Sequence, residues 1–330
     1  MSADKPKILV IRFSSIGDIV LTTPVIRALH QQLGAEVHLL TKQSFAGVLS
    51  ANPYLTKIWA IKKKVSELSD ELKQEGFTTI IDLHRNLRSW QVRLALWDTK
   101  AYAFDKLNWQ KWLLTRWKIN RMPDVHIVDR YLATAARLGI KNDDLGLDYH
   151  IPESDKIILA DWNLESSFIA MVIGAAHATK RLPVEKLTEL CQQINRPIAL
   201  LGGPGDKEAG EAIAAQAGKH VINLCGAMRL HQSADVVRQA SCVITHDTGL
   251  MHIAAALNKP IISVWGNTVP SFGMYPYLVD AKTMNEIFEV DNLSCRPCSK
   301  IGYGECPKGH FKCMQEQNLE QISAKAEDFK

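Results

Sequence analysis

An apolar segment and a helix-like segment flank the short sequence Ser14-Ser15-Ile16-Gly17-Asp18 near the start of the chain. A strand is predicted over 7–13, and a helix is predicted from residue 19 or 24 through 33. The turn between them exposes backbone N–H groups at the carboxyl end of a strand, where open α/β sheets bind their ligands. A phosphate site disfavours a nearby carboxylate, so Asp18 is interpreted either as a catalytic base or as the cap of the helix.

Two threonines and a proline follow this turn. Pro24 suits the first turn of a helix, because its ring already holds the required backbone angle. Thr22 and Thr23 either cap that helix or bind a ligand through their hydroxyl groups. Ser15, Gly17, Thr22 and Thr23 are therefore the candidates for ligand contacts on this side.

A second turn, over 174–183, follows a buried strand and combines small residues with cations. The small residues allow close backbone approach, and Thr179, Lys180 and Arg181 offer a hydroxyl and two cations to a diphosphate. The turn is not a Walker A loop, because the Gly-Lys-Ser/Thr element is absent. A solvated basic turn is the alternative, and the position at the end of a strand favours a ligand site.

A third turn repeats the order of strand, glycine and helix over 201–208. Asp206 or Glu208 could accept hydrogen bonds from ribose hydroxyls. Capping of the following helix by Asp206 is an equally good interpretation.

A fourth turn lies over 245–252, after another apolar strand. Asp247 or Thr248 can cap the next helix, so that the first backbone N–H groups, from Thr248 through Leu250 and including Gly249, face an anion. His252 falls on about the same helix face as Thr248. The alternative is a capped helix with His252 packed in the core, and the density of polar groups favours function.

Four of the seven cysteines are close together in the sequence, at positions 295, 298, 306 and 313. The C-x2-C spacing of Cys295 and Cys298 makes a zinc site one candidate, in which Cys306 and Cys313 would complete the tetrahedral set of ligands. Reduced packing cysteines or a redox-labile cluster are the alternatives, because the second pair lacks that spacing.

Tryptophans and cations recur at helical spacing over 106–118. Indole and basic side chains on one helix suit a membrane surface or an anionic amphiphile, which predicts a peripheral membrane contact. The alternative is that the tryptophans belong to the core.

Short apolar runs alternate with helical patterns along the chain. Strands are predicted over 7–13, 36–41, 57–61, 78–83, 168–174, 197–202, 220–224, 242–246 and 260–265. Helices are predicted over 65–75, 86–97, 183–194, 206–217, 231–240 and 248–257. This alternation predicts an α/β protein with doubly wound parallel sheets. The interval 98–165 interrupts the rhythm, and a boundary near residue 152 predicts domains over 1–152 and 153–330.

The composition limits the class of protein. The chain has 330 residues, of which 46% are hydrophobic and 22% charged, as expected for two globular domains. No apolar run approaches the ~20 residues of a membrane span. The polar start predicts no signal peptide, and hence a cytoplasmic protein. Residues 1–150 carry 22 Lys and Arg against 15 Asp and Glu, and residues 151–330 carry 17 against 20, so the first half should meet the more anionic partner.

Taken together, the turns resemble glycosyltransferase family 9, the ADP-heptose:lipopolysaccharide heptosyltransferases. The resemblance rests on Gly17-Asp18-x4-Thr23-Pro24 and on Asp247-Thr-Gly-Leu-x-His252, and it covers nearly the whole chain. The tail over 295–313 is similar to that of the heptosyltransferase II branch. The resemblance implies a GT-B fold, in which two Rossmann-like domains face a central cleft. The first would bind an anionic acceptor and the second a nucleotide sugar.

The resemblance also implies roles for single residues. Asp18 matches the general base, and Lys180, with Thr179 before it, matches the lysine segment that binds the diphosphate. The remaining matches would contact the donor: Thr248, Gly249 and Leu250 at the diphosphate, Asp247 and His252 near the sugar or phosphates, and Asp206 or Glu208 at the ribose. No cofactor is expected, and the absence of an Asp-x-Asp sequence predicts transfer without a metal ion.

The implied activity is an inverting transfer of heptose from ADP-heptose to the inner core of lipopolysaccharide, at the inner face of the inner membrane. A sugar-nucleotide epimerase or hydrolase of the same fold is one alternative. A zinc-stabilised protein that binds an anionic polymer is another, although it leaves Asp18 and the glycine turns without a purpose. No nucleic-acid partner is expected.

Overall fold

Buried aliphatic runs form parallel strands in both halves of the chain, because a strand covered by helices on both faces buries every side chain. The computed structural model describes residues 5–279 and 285–329. Its strands are β1 Lys7–Ile11, β2 Glu36–Lys42, β3 Lys57–Ile61, β4 Thr79–Asp82, β5 Lys100–Ala103, β6 Ile169–Val172, β7 Ile198–Leu201, β8 Val221–Asn223, β9 Cys242–His246, β10 Ile261–Trp265 and β11 Asn285–Glu289.

Helices connect these strands, and several begin at a polar cap or a proline. They are α1 Ile16–Val20, α2 Thr23–Leu33, α3 Ser69–Gln74, α4 Leu87–Ala95, α5 Asn108–Trp117, α6 Ile127–Ala135, α7 Val184–Gln193, α8 Lys207–Ala217, α9 Leu230–Gln239, α10 Gly249–Ala256, α11 Lys312–Gln315 and α12 Leu319–Asp328. Among the described residues, no helix is long and apolar enough to cross a membrane.

The chain forms two compact units, and each unit consists of two separate segments of the sequence. One unit extends to Lys106 and resumes over Val125–His150, whereas Leu107–Asp124 groups with the second unit, which continues from Ile151. The helix α5 therefore belongs to the second unit, although the chain enters and leaves it from the first. The first unit ends at His150, and the chain continues into the second unit at Ile151.

The first unit is built on a parallel sheet in the order β3-β2-β1-β4-β5, counted over the described residues. The strand β1 is central, and its Leu9 pairs with His38 on one side and with Ile80 on the other. The chain leaves β1 toward β2 and later returns to its other side with β4. The strand order therefore reverses between β1 and β4, and a crevice opens at the carboxyl ends of these two strands.

The second unit repeats this plan with the order β11-β10-β9-β6-β7-β8 over the same described ranges. Here the reversal falls between β6 and β9, which pair in parallel. The turns after β6 and β9 are thus the ones that can meet at a ligand crevice. These are two of the turns that sequence analysis selected.

The structure departs from the predicted elements in a few places. The predicted helix over 65–75 is a short 3-10 helix at Val65–Glu67 followed by α3, and the predicted helix over 86–97 ends at Ala95. The strands β5 and β11 lie at sheet edges and were not predicted. Their residues are only half-buried or exposed, so their sequences lack the continuous apolar run of the central strands.

A buried arginine connects α2 to the end of the first unit. The Arg27 guanidinium donates to both carboxylate oxygens of Asp143 at 2.7 Å, to the Gly146 carbonyl at 2.8 Å, and to Asp148. Only 1% of Arg27 is exposed, so this loop neutralises a charge that the core could not otherwise hold.

We expect Arg27→Met to lower the free energy of unfolding by about 3 kcal/mol, because it leaves two half-buried carboxylates without their cation. Urea unfolding measures this change. Lys73→Met is the matched control: Lys73 pairs with Asp70 at 3.9 Å on an exposed helix surface, and its loss should cost less than about 1 kcal/mol. Equal costs for the two variants would contradict the structural role of Arg27.

Candidate functional site

Asp18 lies at the carboxyl end of β1, beside the reversal of strand order in the first unit. Ser15 begins α1, and its backbone N–H and hydroxyl donate to Oδ2 of Asp18 at 3.0 and 2.9 Å. Asp18 is therefore in the first turn of α1, where it bonds back to the residue that caps the helix. Its other oxygen, Oδ1, lies 2.6 Å from a guanidinium nitrogen of Arg12.

This setting determines the charge of Asp18. Burial acts to raise the pKa of the carboxyl group, but the Arg12 guanidinium and the two bonds from Ser15 outweigh it and lower the pKa to about 2. Asp18 is thus ionised throughout the neutral range. It can accept a proton without first losing one, which a general base requires.

Arg12 is itself held in place by the first unit. Its guanidinium donates to the Leu83 carbonyl at 2.5 Å and to the Tyr131 hydroxyl at 2.7 Å, and its Nε donates to the Ser14 carbonyl at 2.9 Å. Burial raises the pKa of Tyr131, so this hydroxyl stays neutral. The guanidinium therefore cannot swing away from Asp18 without breaking these bonds.

Two residues at the carboxyl end of β4 complete this edge and were not among the candidates predicted from the sequence: Asp82, the last residue of the strand, and His84, just beyond it. Asp82 is buried, and its Oδ1 accepts from the N–H groups of His84 and Arg85. Burial, followed by the nearby charge of Arg12, lowers the pKa of His84 to about 3, so its imidazole is neutral. A signal was present in the sequence, because Asp82 lies at the end of the predicted strand 78–83 and His84 directly follows it, much as Asp18 follows the predicted strand 7–13.

The other candidate residues around Asp18 differ in their exposure and in their hydrogen-bond partners. Ser15 is exposed, whereas Gly17 is buried. The hydroxyls of Thr22 and Thr23 are fully buried and donate to the carbonyls of Ile19 and Val20. These two threonines stabilise the junction of α1 and α2, so their hydroxyls are not placed to contact a ligand.

We expect Arg12→Gln to raise the pKa of Asp18 above its present value of about 2, because the cation is lost and only the two bonds from Ser15 still offset burial. A carboxyl-carbon NMR titration of the full chain measures this shift. Arg137→Gln, an exposed arginine on the same unit, is the control and should leave the titration unchanged. An Asp18 pKa that stays near 2 in Arg12→Gln would show that Ser15 alone holds the carboxylate ionised.

In the second unit, the turns after β6 and β9 meet. The Lys180 ammonium lies 2.5 Å from Oδ2 of Asp247, and that oxygen also accepts from the Thr268 hydroxyl at 3.0 Å. Thr248 begins α10, and its hydroxyl accepts from the Met251 N–H at 3.4 Å. A lysine is thus held beside the amino end of a helix, where backbone N–H groups and the helix dipole favour an anion.

The loop that carries Lys180 is fastened on both sides. The Thr179 hydroxyl donates to the Tyr303 carbonyl and accepts from its N–H, at 3.2 and 2.8 Å. The Leu182 N–H donates to Nε2 of His246 at 3.0 Å, and burial lowers the pKa of that histidine to about 4. Thr179 therefore positions Lys180, and its buried hydroxyl is already occupied by the protein.

The third turn also faces the loop after β6. Oδ2 of Asp206 accepts from the Gly203 N–H at 2.8 Å, and Oδ1 lies 3.0 Å from Arg181. Gly174 is close to this carboxylate: a Cβ on it would lie 2.2 Å from Oδ2 of Asp206. Glu208 is exposed in the first turn of α8. Asp206 therefore belongs to the same edge as Lys180, while Glu208 points to solvent.

The remaining donor candidates lie on α10. Gly249 and Leu250 form its first turn and are half-buried, so their backbone N–H groups are at the helix start. His252 is 2% exposed, which places it in the interior behind the turn rather than at its surface. A role for His252 at a ligand would need a change in this packing.

The cysteine-bearing segment has a structural role that the sequence did not reveal. Arg296 donates to the carbonyls of Gly266, Thr268 and Val290 at 2.5, 3.0 and 3.0 Å, and it pairs with Glu289. The segment therefore holds the loop after β10, which supplies Thr268 to Asp247. Sequence analysis did not select Thr268 or Arg296, since their partners lie far away along the chain.

All seven cysteines are free thiols. Sγ of Cys295 lies 3.8 Å from Nε2 of His310, and burial, with Cys295 beside it, raises the pKa of Cys298 to about 11. Burial raises the pKa of Cys313 to about 12. Within the described ranges, no three His, Cys, Asp or Glu side chains form a group that could hold a metal ion.

Comparison with known proteins gives the family. The model of glycosyltransferase family 9 (heptosyltransferase) matches residues 65–303, which is more than half of the chain. This chain belongs to glycosyltransferase family 9. The resemblance drawn from the turns after β1 and β9 is therefore confirmed at the level of the family.

Curated relatives in this family carry heptosyltransferase names. Lipooligosaccharide heptosyltransferase 2 of Haemophilus influenzae is 33% identical over 121 residues, which cover 36% of this chain and 34% of that protein. Lipopolysaccharide heptosyltransferase 1 of Campylobacter coli is 24% identical over 81% of this chain and 85% of its own length. The first match thus spans about a third of its relative, and the two names come from different branches.

A solved structure in the family has the same fold. The structure of the Escherichia coli ADP-heptose lipopolysaccharide heptosyltransferase II matches with a TM-score of 0.69 and 21% identity, over 96% of this chain and 99% of that one. With its two parallel sheets, the family 9 chain has the GT-B fold. The predicted fold class is confirmed.

Proposed function

We propose that this family 9 glycosyltransferase transfers heptose from ADP-heptose to an inner-core hydroxyl of lipopolysaccharide, with inversion at the anomeric carbon. The observation that carries the proposal is the ionised carboxylate of Asp18 at the reversal of strand order in the first unit. The names of the heptosyltransferases that the chain resembles support this donor and acceptor. The cysteine-bearing tail supports the heptosyltransferase II branch.

In the proposed reaction, the acceptor hydroxyl attacks the anomeric carbon and forms the new C–O bond. The bond from that carbon to the diphosphate breaks, and ADP leaves with the electron pair. Asp18 takes the hydroxyl proton. Because the low pKa makes Asp18 a weak base, the proton moves after the new bond has made the hydroxyl more acidic.

The second unit would bind the donor. Negative charge grows on the departing diphosphate, and Lys180 with the first N–H groups of α10 would stabilise it. Asp247 holds the lysine in place through its ion pair, and Thr268 holds Asp247. Because the chain has no Asp-x-Asp sequence to bind a bridging cation, we propose that these groups act without a metal ion.

The first unit would bind the acceptor, whose phosphorylated sugars are anionic. The first half of the sequence carries the excess of cations. Lys106 and Arg88 lie near the sheet edge that holds Asp18. The charges of Lys106 and Arg12 interact, and the Arg88 guanidinium lies 5.6 Å from the centre of the Phe13 ring. Since lipopolysaccharide is anchored in lipid, we propose that transfer takes place at the inner face of the inner membrane.

We expect Asp18→Asn to lower the transfer rate by about 10²-fold or more, because the amide cannot accept the hydroxyl proton. Transfer is measured by product formation with ADP-heptose and acceptor. ADP binding, measured by calorimetry, should persist, and Asp98→Asn, an exposed carboxylate on the same unit, should keep full activity. Undiminished turnover of Asp18→Asn would exclude it as the base. Product formed without acceptor would instead favour an epimerase or hydrolase.

We expect Lys180→Ala to weaken ADP binding by about tenfold or more, because an ammonium bond to a phosphate is lost and Asp247 is left unpaired. Calorimetry with ADP, GDP and UDP measures both the loss and the preference for a base. Lys186→Ala is the control: Lys186 lies on α7 of the same unit and pairs with Glu189, so this variant should bind ADP as the unaltered protein does. An unchanged ADP affinity in Lys180→Ala would show that Lys180 does not bind the donor.

A further inference from the structure

The outward side of α4 leaves large apolar side chains in solvent. Four of them, between 53% and 81% exposed, repeat at intervals of three, four and three residues: Leu87, Trp90, Leu94 and Trp97. This spacing places Leu87, Trp90 and Leu94 on one side of α4, and Trp97 follows just beyond the end of the helix. The other side, with Ser89, Val92 and Leu96, is buried, and the last two join the core of the first unit. We call the four exposed residues the α4 face.

Exposed apolar side chains are common singly, but a stripe of four is not. The buried side of α4 is already satisfied by the core, so the α4 face adds nothing to the packing of its own unit. Two of its residues are tryptophans, whose amphipathic rings favour the boundary between water and a lipid phase. A helix that packs one side in the core and leaves an apolar side in solvent is typical of a surface at which a partner covers the exposed side.

The charge around the α4 face indicates which partner. Residues 85–97 contain Arg85, Arg88 and Arg93 and no acidic residue. The helical repeat places Arg88 and Arg93 on the flanks, between the exposed and the buried side. Arg85 is half exposed and pairs with Asp105 at 3.2 Å, Arg93 lies 3.9 Å from Asp82, and the Arg88 guanidinium lies 5.6 Å from the centre of the Phe13 ring. Cations beside a stripe of leucine and tryptophan are the pattern of a helix that lies in the headgroup region of an anionic bilayer.

We propose that the α4 face binds an anionic membrane surface, with the apolar side chains in the headgroup region and the arginines at lipid phosphates. This proposal does not rest on the transfer reaction, because it uses only exposure, spacing and charge on α4. It would hold for any reaction that Asp18 performs. It also places the first unit, whose sequence half has the excess of cations, at the lipid surface.

The segment that sequence analysis selected for membrane contact, 106–118, carries a weaker version of the same pattern. Trp109, Trp112 and Trp117 are exposed, which excludes the alternative that they are core residues. Its tryptophans, however, partly cover one another: the rings of Trp109 and Trp112 stack with their centroids 5.0 Å apart, and Trp112 is 41% exposed. We therefore assign the main contact to α4.

The experiment is sedimentation of the full chain with lipid vesicles. One vesicle is phosphatidylcholine alone, and the other contains about one third phosphatidylglycerol. The test variant is Trp90→Ser with Leu94→Ser. The matched control is Leu145→Ser with Ile158→Ser, which removes two equally exposed apolar side chains elsewhere. Unchanged melting temperatures and ADP binding show that both variants are folded.

We expect the unaltered chain and the control to bind the anionic vesicles, and the test variant to bind at least about tenfold more weakly, because each buried apolar side chain contributes strongly to partitioning. Added salt should weaken binding of the unaltered chain. Equal binding by test and control variants would overturn the proposal, as would equal binding to both kinds of vesicle. A dimer in sedimentation equilibrium that only the test variant loses would assign the face to a second copy instead.

Discussion

The candidate site residues of each unit depend on one topological constraint: a doubly wound parallel sheet reverses its strand order at one place. In the first unit the reversal separates β1 from β4, and in the second it separates β6 from β9. Connections on the two sides of a reversal run in opposite directions, so the turns that follow these strands diverge and leave room for a ligand. Asp82 ends β4, and Asp18, Lys180 and Asp247 each follow one of the other three strands.

Each unit has a carboxylate and a cation in direct contact among its candidate site residues. The two pairs differ in which partner is held fixed by the surrounding protein. In the first unit Arg12 is the fixed partner, held by backbone carbonyls and Tyr131, and it controls the charge of Asp18. In the second unit Asp247 is the fixed partner, held by Thr268, and it controls the position of Lys180. The same kind of ion pair thus fixes the charge of a carboxylate in one unit and the position of an ammonium group in the other.

The segment with the cysteines shows how structure distant in sequence supports this geometry. Arg296 connects the loop after β10 to the end of β11, and the Cys298 N–H donates to the Asn267 carbonyl at 3.1 Å. The loop in turn presents Thr268 to Asp247. Protonated thiols at Cys298 and Cys313 agree with a packing role in this structure. The zinc site remains a prediction from spacing alone.

The sequence by itself determined the fold class, the central strands and the turns that carry the candidate site residues. Apolar runs and helical periodicity report which side of an element is buried, and the turn after a parallel strand is where a ligand can bind. The sequence could not decide which polar side chains in those turns are occupied by the protein. Thr22, Thr23 and Thr179 have internal partners, and His252 is buried.

Only the tertiary structure decided these points, because the deciding contacts join residues far apart in the chain. Arg27 meets Asp143 across 116 positions, and Thr179 meets Tyr303 across 124. The local sequence pattern does not predict such pairs. It shows that a polar residue lies on a given face of a helix or turn, but many different distant partners would suit that residue. The same holds for α4: its periodicity shows two apolar sides, and only the folded unit shows that one of them lies in solvent.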